Sequence, residues 1–78
     1  MVVQLDSYSK KFIKRFGLRV RSMRSERHWT LEHCEEMGIT NWRHLQEVEL
    51  GKKNVSLSTI IRIAKLFKVH PSDLLKDL

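Results

Sequence analysis

Apolar residues recur along this chain at intervals of three and four, the spacing of a helix with one face turned to a core. In the N-terminal third they are Phe12, Phe16, Val20 and Met23. Near the C-terminus they are Leu57, Ile60, Ile61, Ala64 and Phe67. Every segment is helical by this criterion, so the sequence predicts an all-α fold.

Capping residues divide the N-terminal half. Residues 1–9 are expected to form a short arm with a cap signal at Asp6, Ser7 or Ser9. A first helix is predicted from about Lys10 to about Arg27. Gly17 lies inside it and weakens it by ~1 kcal/mol relative to alanine, which a close helix contact would explain.

Two short helices follow. Thr30 is the expected N-cap of a second helix over Leu31–Met37, whose apolar face is Leu31, Cys34 and either Met37 or Gly38. Gly38 is suited to end that helix, and Ile39 is expected to plug the core. Asn41 then caps a third helix over Trp42–Leu50, which buries Leu45 and Val48 and ends at Gly51.

The C-terminal part predicts two more helices. Ser56 caps a fourth over Leu57–Phe67. In the last segment, Val69–Leu78, His70 is a suitable cap and Pro71 suits a first helical turn. The apolar face there is Leu74, Leu75 and Leu78. The sequence therefore predicts a compact bundle of five helices, one domain over residues 10–78, with a helix–turn–helix at helices two and three.

Charge is distributed unevenly within a net +6. Residues 1–30 carry eight basic and two acidic side chains, residues 31–50 one basic and five acidic, and residues 51–78 six basic and two acidic. Basic flanks suit phosphate contacts, whereas the acidic middle counts against them. The single cysteine and the lack of a signal-peptide pattern or long apolar run favour a cytoplasmic protein.

Other kinds of chemistry find little support. Cys34 lies on the predicted inner face of the second helix, where a cysteine is more often a small buried residue than a nucleophile, so we do not expect an enzyme. The histidines and Cys34 lack zinc-motif spacing, and no glycine-rich phosphate loop is present, so no metal, cofactor or small-molecule ligand is expected. The basic first helix could lie on an anionic membrane through Phe12 and Phe16, but we expect these two aromatic residues to fill the core of the domain instead.

Binding to double-stranded DNA uses the most features together. Six residues at the front of the third helix carry groups that match base edges or the groove wall: Asn41, Trp42, Arg43, His44, Gln46 and Glu47. The residues expected to contact phosphates are Arg27, Thr30, Lys52, Lys53 and Asn54. The leucines of the last helix exceed what one small core needs, so Leu75 and Leu78 are candidates for a homodimer contact.

Several short motifs occur together without a gap. They are GLRVRSMR at the first helix, Thr30 before the second, Leu45, Val48, Glu49 and Gly51 in the third, and Ser56, Leu57, Ile60, Ala64 and Val69 further on. In these positions the stretch from Gly17 to Leu75 resembles the Xre-type (Cro and phage-repressor-like) helix–turn–helix family. The resemblance implies a lambda-repressor-like DNA-binding fold.

The resemblance also implies roles. Glu49 would pair with Arg24 as a structural ion pair, and base reading would fall on Trp42, Arg43 and Glu47. Three positions depart from the family pattern: Leu31 replaces a phosphate-gripping Gln, Glu35 replaces Ala at a close helix contact, and Ile39 replaces the turn Gly.

These features together predict a bacterial or phage transcriptional regulator, similar in size to the restriction–modification controller proteins. It would bind as a homodimer to a near-palindromic operator, with one recognition helix in each half-site. The acidic charge of residues 31–50 and the departure at Leu31 support an alternative: a protein-interaction module on the same fold, such as an antitoxin or complex subunit, with weak or no DNA binding.

Overall fold

The computed structural model describes residues 6–39 and 41–78. They form the helices α1 (Ser7–Glu26), α2 (Leu31–Glu36), α3 (Trp42–Glu49), α4 (Leu57–Phe67) and α5 (Pro71–Leu75), and no strand is present in these ranges. α1 is the central helix of the bundle, because it packs against α3, α4 and α5. α2 packs on α3 and α4 on α5. The predicted all-α five-helix fold is confirmed.

Each helix begins at a side chain that satisfies an otherwise unpaired backbone N–H. The caps are Asp6 to the N–H of Ser9, Thr30 to His33, Asn41 to His44, Ser56 to Thr59 and His70 to Ser72. At α5 the cap is reciprocal, because the carboxylate of Asp73 accepts from the backbone N–H of His70 at 3.0 Å. These local bonds explain why the starts of α2, α3, α4 and α5 were visible in the sequence.

The first helix begins earlier than expected. Asp6 is its cap, with a 2.8 Å bond from the Ser9 N–H that lowers the pKa of its carboxyl group. Residues 7–9, predicted as part of an arm, therefore form the first turn of α1, whereas residues 1–5 of that arm lie outside the described residues. The other differences are at C-terminal ends: α1, α2 and α3 each stop one residue before the predicted end, and α5 stops at Leu75.

The turn between α2 and α3 depends on Gly38. Its φ of +111° lies in a region that side chains with a Cβ rarely adopt, and an added Cβ would meet no atom within 4 Å, so the backbone conformation alone requires glycine. Ile39 follows and is buried, as predicted. Met37, a candidate for the inner face of the second helix, is instead 42% exposed, because the helix ends at it and the chain turns away.

The core lies between α1, α3 and α4. Its buried apolar residues are Phe16, Val20, Cys34, Ile39, Leu45, Val48, Ile63, Ala64, Leu66, Phe67 and Leu74. The predicted face of α4 was partly wrong: Leu57 is 70% and Ile61 39% exposed, while Ile63 is fully buried. α4 is apolar around most of its circumference, so spacing alone could not tell which stripe faces inward.

α1 and α3 meet at Gly17. A Cβ on this residue would overlap the carbonyl oxygen of Val48 and come within 2.7 Å of that of Glu49. The glycine predicted to mark a close helix contact is thus where the end of α3 rests on α1. The contact fixes α3 against the longest helix of the domain.

Candidate functional site

α3 presents one polar side and buries the other. Leu45, Val48 and Glu49 are buried, which fixes the rotation of the helix about its axis. The six side chains expected to read bases are all outside the core: Asn41, Arg43 and Gln46 are exposed, and Trp42, His44 and Glu47 are half-buried. All six side chains are therefore at least partly accessible to solvent.

The ion pair implied between Arg24 and Glu49 is formed. Arg24 donates from Nε to Oε2 of Glu49 at 2.7 Å and from Nη2 to Oε1 at 2.9 Å, while its Nη1 donates to the Trp29 carbonyl at 2.8 Å. The carboxylate raises the pKa of Arg24. Because Glu49 is 6% exposed and fully bonded, its charge does not face the accessible side of α3.

α2 is tied to the start of α3 by Glu35. Its Oε1 accepts from the backbone N–H of Trp42 at 2.9 Å, one of the N–H groups that has no partner within the helix. The cap at Asn41 satisfies the N–H of His44 at 2.7 Å. The carboxylate at the position where the family resemblance implied Ala thus fixes the two helices of the turn to each other, and a negative charge is also favourable at a helix N-terminus.

The exposed surface of α3 contains two contacts between predicted site residues. The guanidinium carbon of Arg43 lies 5.3 Å from the centre of the Trp42 ring, within the range of a cation–π interaction. Lys53, in the loop after α3, lies 3.1 Å from the carboxylate of Glu47. The Trp42 ring therefore supports Arg43 from one side, and Lys53 partly offsets the charge of Glu47.

The residues expected to hold phosphates divide into two groups. Thr30, Lys52, Lys53 and Asn54 are exposed. The hydroxyl oxygen of Thr30 accepts from the His33 N–H at 3.0 Å, and its own O–H points to no partner among the described residues. Lys52 and Asn54 follow α3 directly, so they lie beside its C-terminal end.

Arg27 lies differently from what the sequence predicted. Its guanidinium donates to the carbonyls of Met23 at 2.9 Å and Phe67 at 3.4 Å, and it lies 4.9 Å from the ring centre of Phe67. The Trp29 ring stacks on Phe67 at 5.9 Å with 11° between the planes, and Arg27 lies over both rings. Arg27 closes one end of the core and would have to give up these contacts to reach a phosphate.

Two further residues make contacts that bear on the site. Leu31, predicted on the apolar face of the second helix and at the position of the implied phosphate-gripping Gln, packs against the core. Arg19 was not singled out, yet it donates to the carbonyls of Asp73 at 3.0 Å and Lys76 at 2.8 Å and so holds the end of α5 to α1. No local signal marks that role, because the bonds span more than fifty residues.

The last helix has fewer surplus leucines than predicted. Leu74 is fully buried, and Leu78 is half-buried against the core. Leu75 remains 37% exposed and borders a shallow apolar depression with Phe12 and Ile60. Of the two residues expected at a dimer contact, Leu75 is therefore the more accessible.

Among residues 6–39 and 41–78 there is no group of three or more histidine, cysteine or acidic side chains that could hold a metal ion. Burial raises the pKa of the Cys34 thiol, which has no exposed surface. None of the helices that the structure describes is both long and apolar enough to cross a membrane.

One solved structure matches this fold closely. The structure described as the crystal structure of the DNA-binding domain of BldD superposes with a TM-score of 0.77, over 85% of this chain and 96% of that one. The two sequences are 22% identical, so the likeness shows a shared fold. A scan against protein-family models and a search of curated protein sequences give no match.

Proposed function

We propose that this chain is a sequence-specific DNA-binding protein that inserts α3 into the major groove. The observation that carries the proposal is that Arg43 and Gln46 are exposed on a helix whose opposite face is fixed in the core. Arg pairs with guanine and Gln with adenine, through two hydrogen bonds each. Asn41 is also exposed, but its Oδ1 accepts from the His44 N–H at the start of α3. The fold shared with a domain described as DNA-binding supports the proposal.

Rigidity of α3 supports base reading as well as exposure does. Three contacts fix the helix: the close approach at Gly17, the ion pair of Glu49 with Arg24, and the bond from the Trp42 N–H to Glu35. The backbone of a fixed helix has little freedom left to lose on binding, so only the side-chain rotamers are ordered at the base edge. Discrimination between bases therefore follows from the position of α3 rather than from adjustment on binding.

Phosphate contacts would supply most of the affinity. We assign them to Thr30, Lys52, Lys53 and Asn54 and leave Arg27 out, because its guanidinium is engaged with Phe67 and Met23. The net charge of +6 agrees with a polyanionic partner.

The proposal includes a homodimer that binds a near-palindromic operator, as a cytoplasmic transcriptional regulator of bacterial or phage type. Leu75, with its neighbours Phe12 and Ile60, is the apolar surface assigned to the dimer contact. Half-sites would then lie about 34 Å apart, one turn of B-DNA. Sedimentation at micromolar concentration tests this part: Leu75→Glu should give a monomer, and a wild type that sediments as a monomer contradicts it.

A second candidate function is a protein-interaction module, favoured by the net charge of −4 over residues 31–50. Glu49 is paired with Arg24 and Glu47 with Lys53, whereas Glu35 accepts from the Trp42 N–H and keeps its negative charge. Among the described residues, Glu32, Glu35 and Glu36, all on α2, have no salt bridge. The accessible side of α3 is therefore less acidic than the sequence indicates.

Selection from a random duplex library, followed by titration at several salt concentrations, separates the two functions. A sequence-specific regulator yields one enriched motif, and its affinity falls steeply between about 50 and 200 mM salt. An interaction module yields no enriched motif and no binding at low salt, which would overturn the proposal.

A further inference from the structure

α1 carries a basic stripe that runs beside α3. Lys10, Lys14 and Arg21 are spaced by four and seven residues, so they share one face of the helix. Arg21 borders a depression with Gln46 of α3 and with Leu50, the residue that follows α3. Lys10 and Lys14 lie further along the same face, toward the loop that follows α3. The stripe is thus adjacent to the helix assigned to base reading.

The close approach of backbones brings this stripe to α3. Gly17 lets the end of α3 pack directly against α1. Gly51, in the loop after α3, packs against α1 at Lys14, one helical turn before Gly17. A Cβ on Gly51 would lie 3.0 Å from Cα of Lys14. α1 and the loop after α3 are therefore in close backbone contact. This contact fixes the Cα positions of their lysines relative to each other.

This packing surrounds one surface depression with lysines from both elements. Its polar lining residues are Lys10 and Lys14 of α1 and Lys52, Lys53 and Asn54 of the loop after α3. We call the four lysines and Asn54 the basic cradle. All five are exposed, so their ammonium and amide groups reach solvent at the rim.

The charge within the cradle is strongly unbalanced. Among the described residues, the one salt bridge to the cradle joins Lys53 to Glu47 at 3.1 Å. Three further lysines remain in the depression without a salt bridge among the described residues. A concave surface lined by charges of one sign concentrates the potential and attracts a counter-ion. Ammonium groups are donors that suit phosphate oxygens, and the Asn54 amide supplies another.

We propose that Lys10 and Lys14 of α1 join Lys52, Lys53 and Asn54 to bind the DNA sugar–phosphate backbone next to the groove that α3 enters. The inference rests on the proposed function, and it extends the contact from the helix–turn–helix to the N-terminal half of α1. That half lies before Gly17, outside the stretch in which the family motifs occur. α1 would then contribute phosphate contacts to DNA binding as well as being the central helix of the fold.

The test compares two double variants of the full chain. Lys10→Gln/Lys14→Gln removes two charges from the cradle, and Lys11→Gln/Arg15→Gln removes two from exposed positions of the same helix that do not line it. Each variant is titrated with the selected operator duplex at several salt concentrations, and phosphate contacts are mapped by ethylation interference. Far-ultraviolet circular dichroism and thermal melting establish that both variants fold as the wild type does.

The proposal expects Lys10→Gln/Lys14→Gln to bind roughly tenfold or more weakly at about 0.1 M salt, with a salt slope smaller by about 2, and to lose interference at particular phosphates. The Lys11→Gln/Arg15→Gln control should keep the interference pattern of the wild type and a nearly unchanged slope. If both variants bind alike, this inference is overturned and the proposed function stands. If the wild type itself binds no DNA, both are overturned.

Discussion

Arg24 and Glu49 are joined by two charge-assisted hydrogen bonds of 2.7 and 2.9 Å that connect the last turn of α1 to the last residue of α3. Bidentate pairs of this kind are among the stronger polar contacts in proteins, and they are directional. The third donor of Arg24 reaches the Trp29 carbonyl, so the same guanidinium also fixes the segment that leads to α2. One arginine thereby positions both helices of the helix–turn–helix relative to α1.

We predict that Glu49→Ala lowers the free energy of unfolding by about 3 kcal/mol, because it leaves a partly buried guanidinium without its partner. Urea denaturation followed by circular dichroism measures the loss. Glu36→Ala, at an exposed position on α2, should change stability by less than about 0.5 kcal/mol. Replacing both partners, as Arg24→Met/Glu49→Leu, should recover much of the loss. Equal stability of Glu49→Ala and the wild type would contradict a role for this pair.

The sign of the stability change on Gly17→Ala shows whether close packing against α3 or helix propensity dominates at this position. On an exposed helix the substitution would stabilise by about 1 kcal/mol. Here the added Cβ overlaps the carbonyl of Val48, so α1 and α3 must separate, and we expect a loss of about 1–3 kcal/mol. Thermal melting gives the sign directly, with Ser22→Ala on the exposed side of α1 as the control. A more stable Gly17→Ala variant would mean that the two helices do not meet as described.

The carboxylate of Glu35 should matter through its acceptor oxygen. Glu35→Ala leaves the Trp42 N–H without its side-chain acceptor, and we expect it to lower the free energy of unfolding by about 1 kcal/mol. Glu35→Gln keeps a carbonyl oxygen at that position and should lose less. Both are measured in urea beside the wild type. Should the alanine and glutamine variants be equally stable, the bond to Trp42 contributes nothing.

Cys34 should react only when the domain unfolds. It has no exposed surface, and burial raises the pKa of its thiol, so less thiolate is present at a given pH than in an unfolded chain. At pH 8 we expect alkylation by iodoacetamide to be roughly a thousandfold or more slower in the native protein than in urea, given a stability of about 5 kcal/mol. Gly17→Ala should accelerate it about tenfold for each ~1.4 kcal/mol by which it lowers the free energy of unfolding. Rapid native-state labelling would place the thiol at the surface.

Features set by neighbouring residues were visible in the sequence. The caps at Thr30, Asn41 and Ser56 depend on bonds to the residue three positions on, and Gly38 is required by its own backbone angle. These features fix where helices begin and turn, which is why all five helices could be predicted. Ends of helices were less accurate, because they depend on how the following segment packs.

Features that depend on distant elements were not visible. The bond from Glu35 to Trp42, the contacts of Arg27 with Phe67 and the bonds of Arg19 to α5 all join residues that only the tertiary fold brings together. The exposed side of α4 was also missed. The cradle follows the same rule, since Lys10 and Lys52 are neighbours only because α1 and the end of α3 are in contact.

The central claim is that α3 reads bases with its exposed side chains, and Arg43→Ala tests it most directly. Binding of the wild type and the variant is measured against the selected operator and every single-base substitution of it. We predict that the variant loses about 1–3 kcal/mol and its preference at one base position, whereas Lys52→Ala weakens all sequences about equally. If Arg43→Ala retains the wild-type preference at every position, α3 does not read DNA in this way.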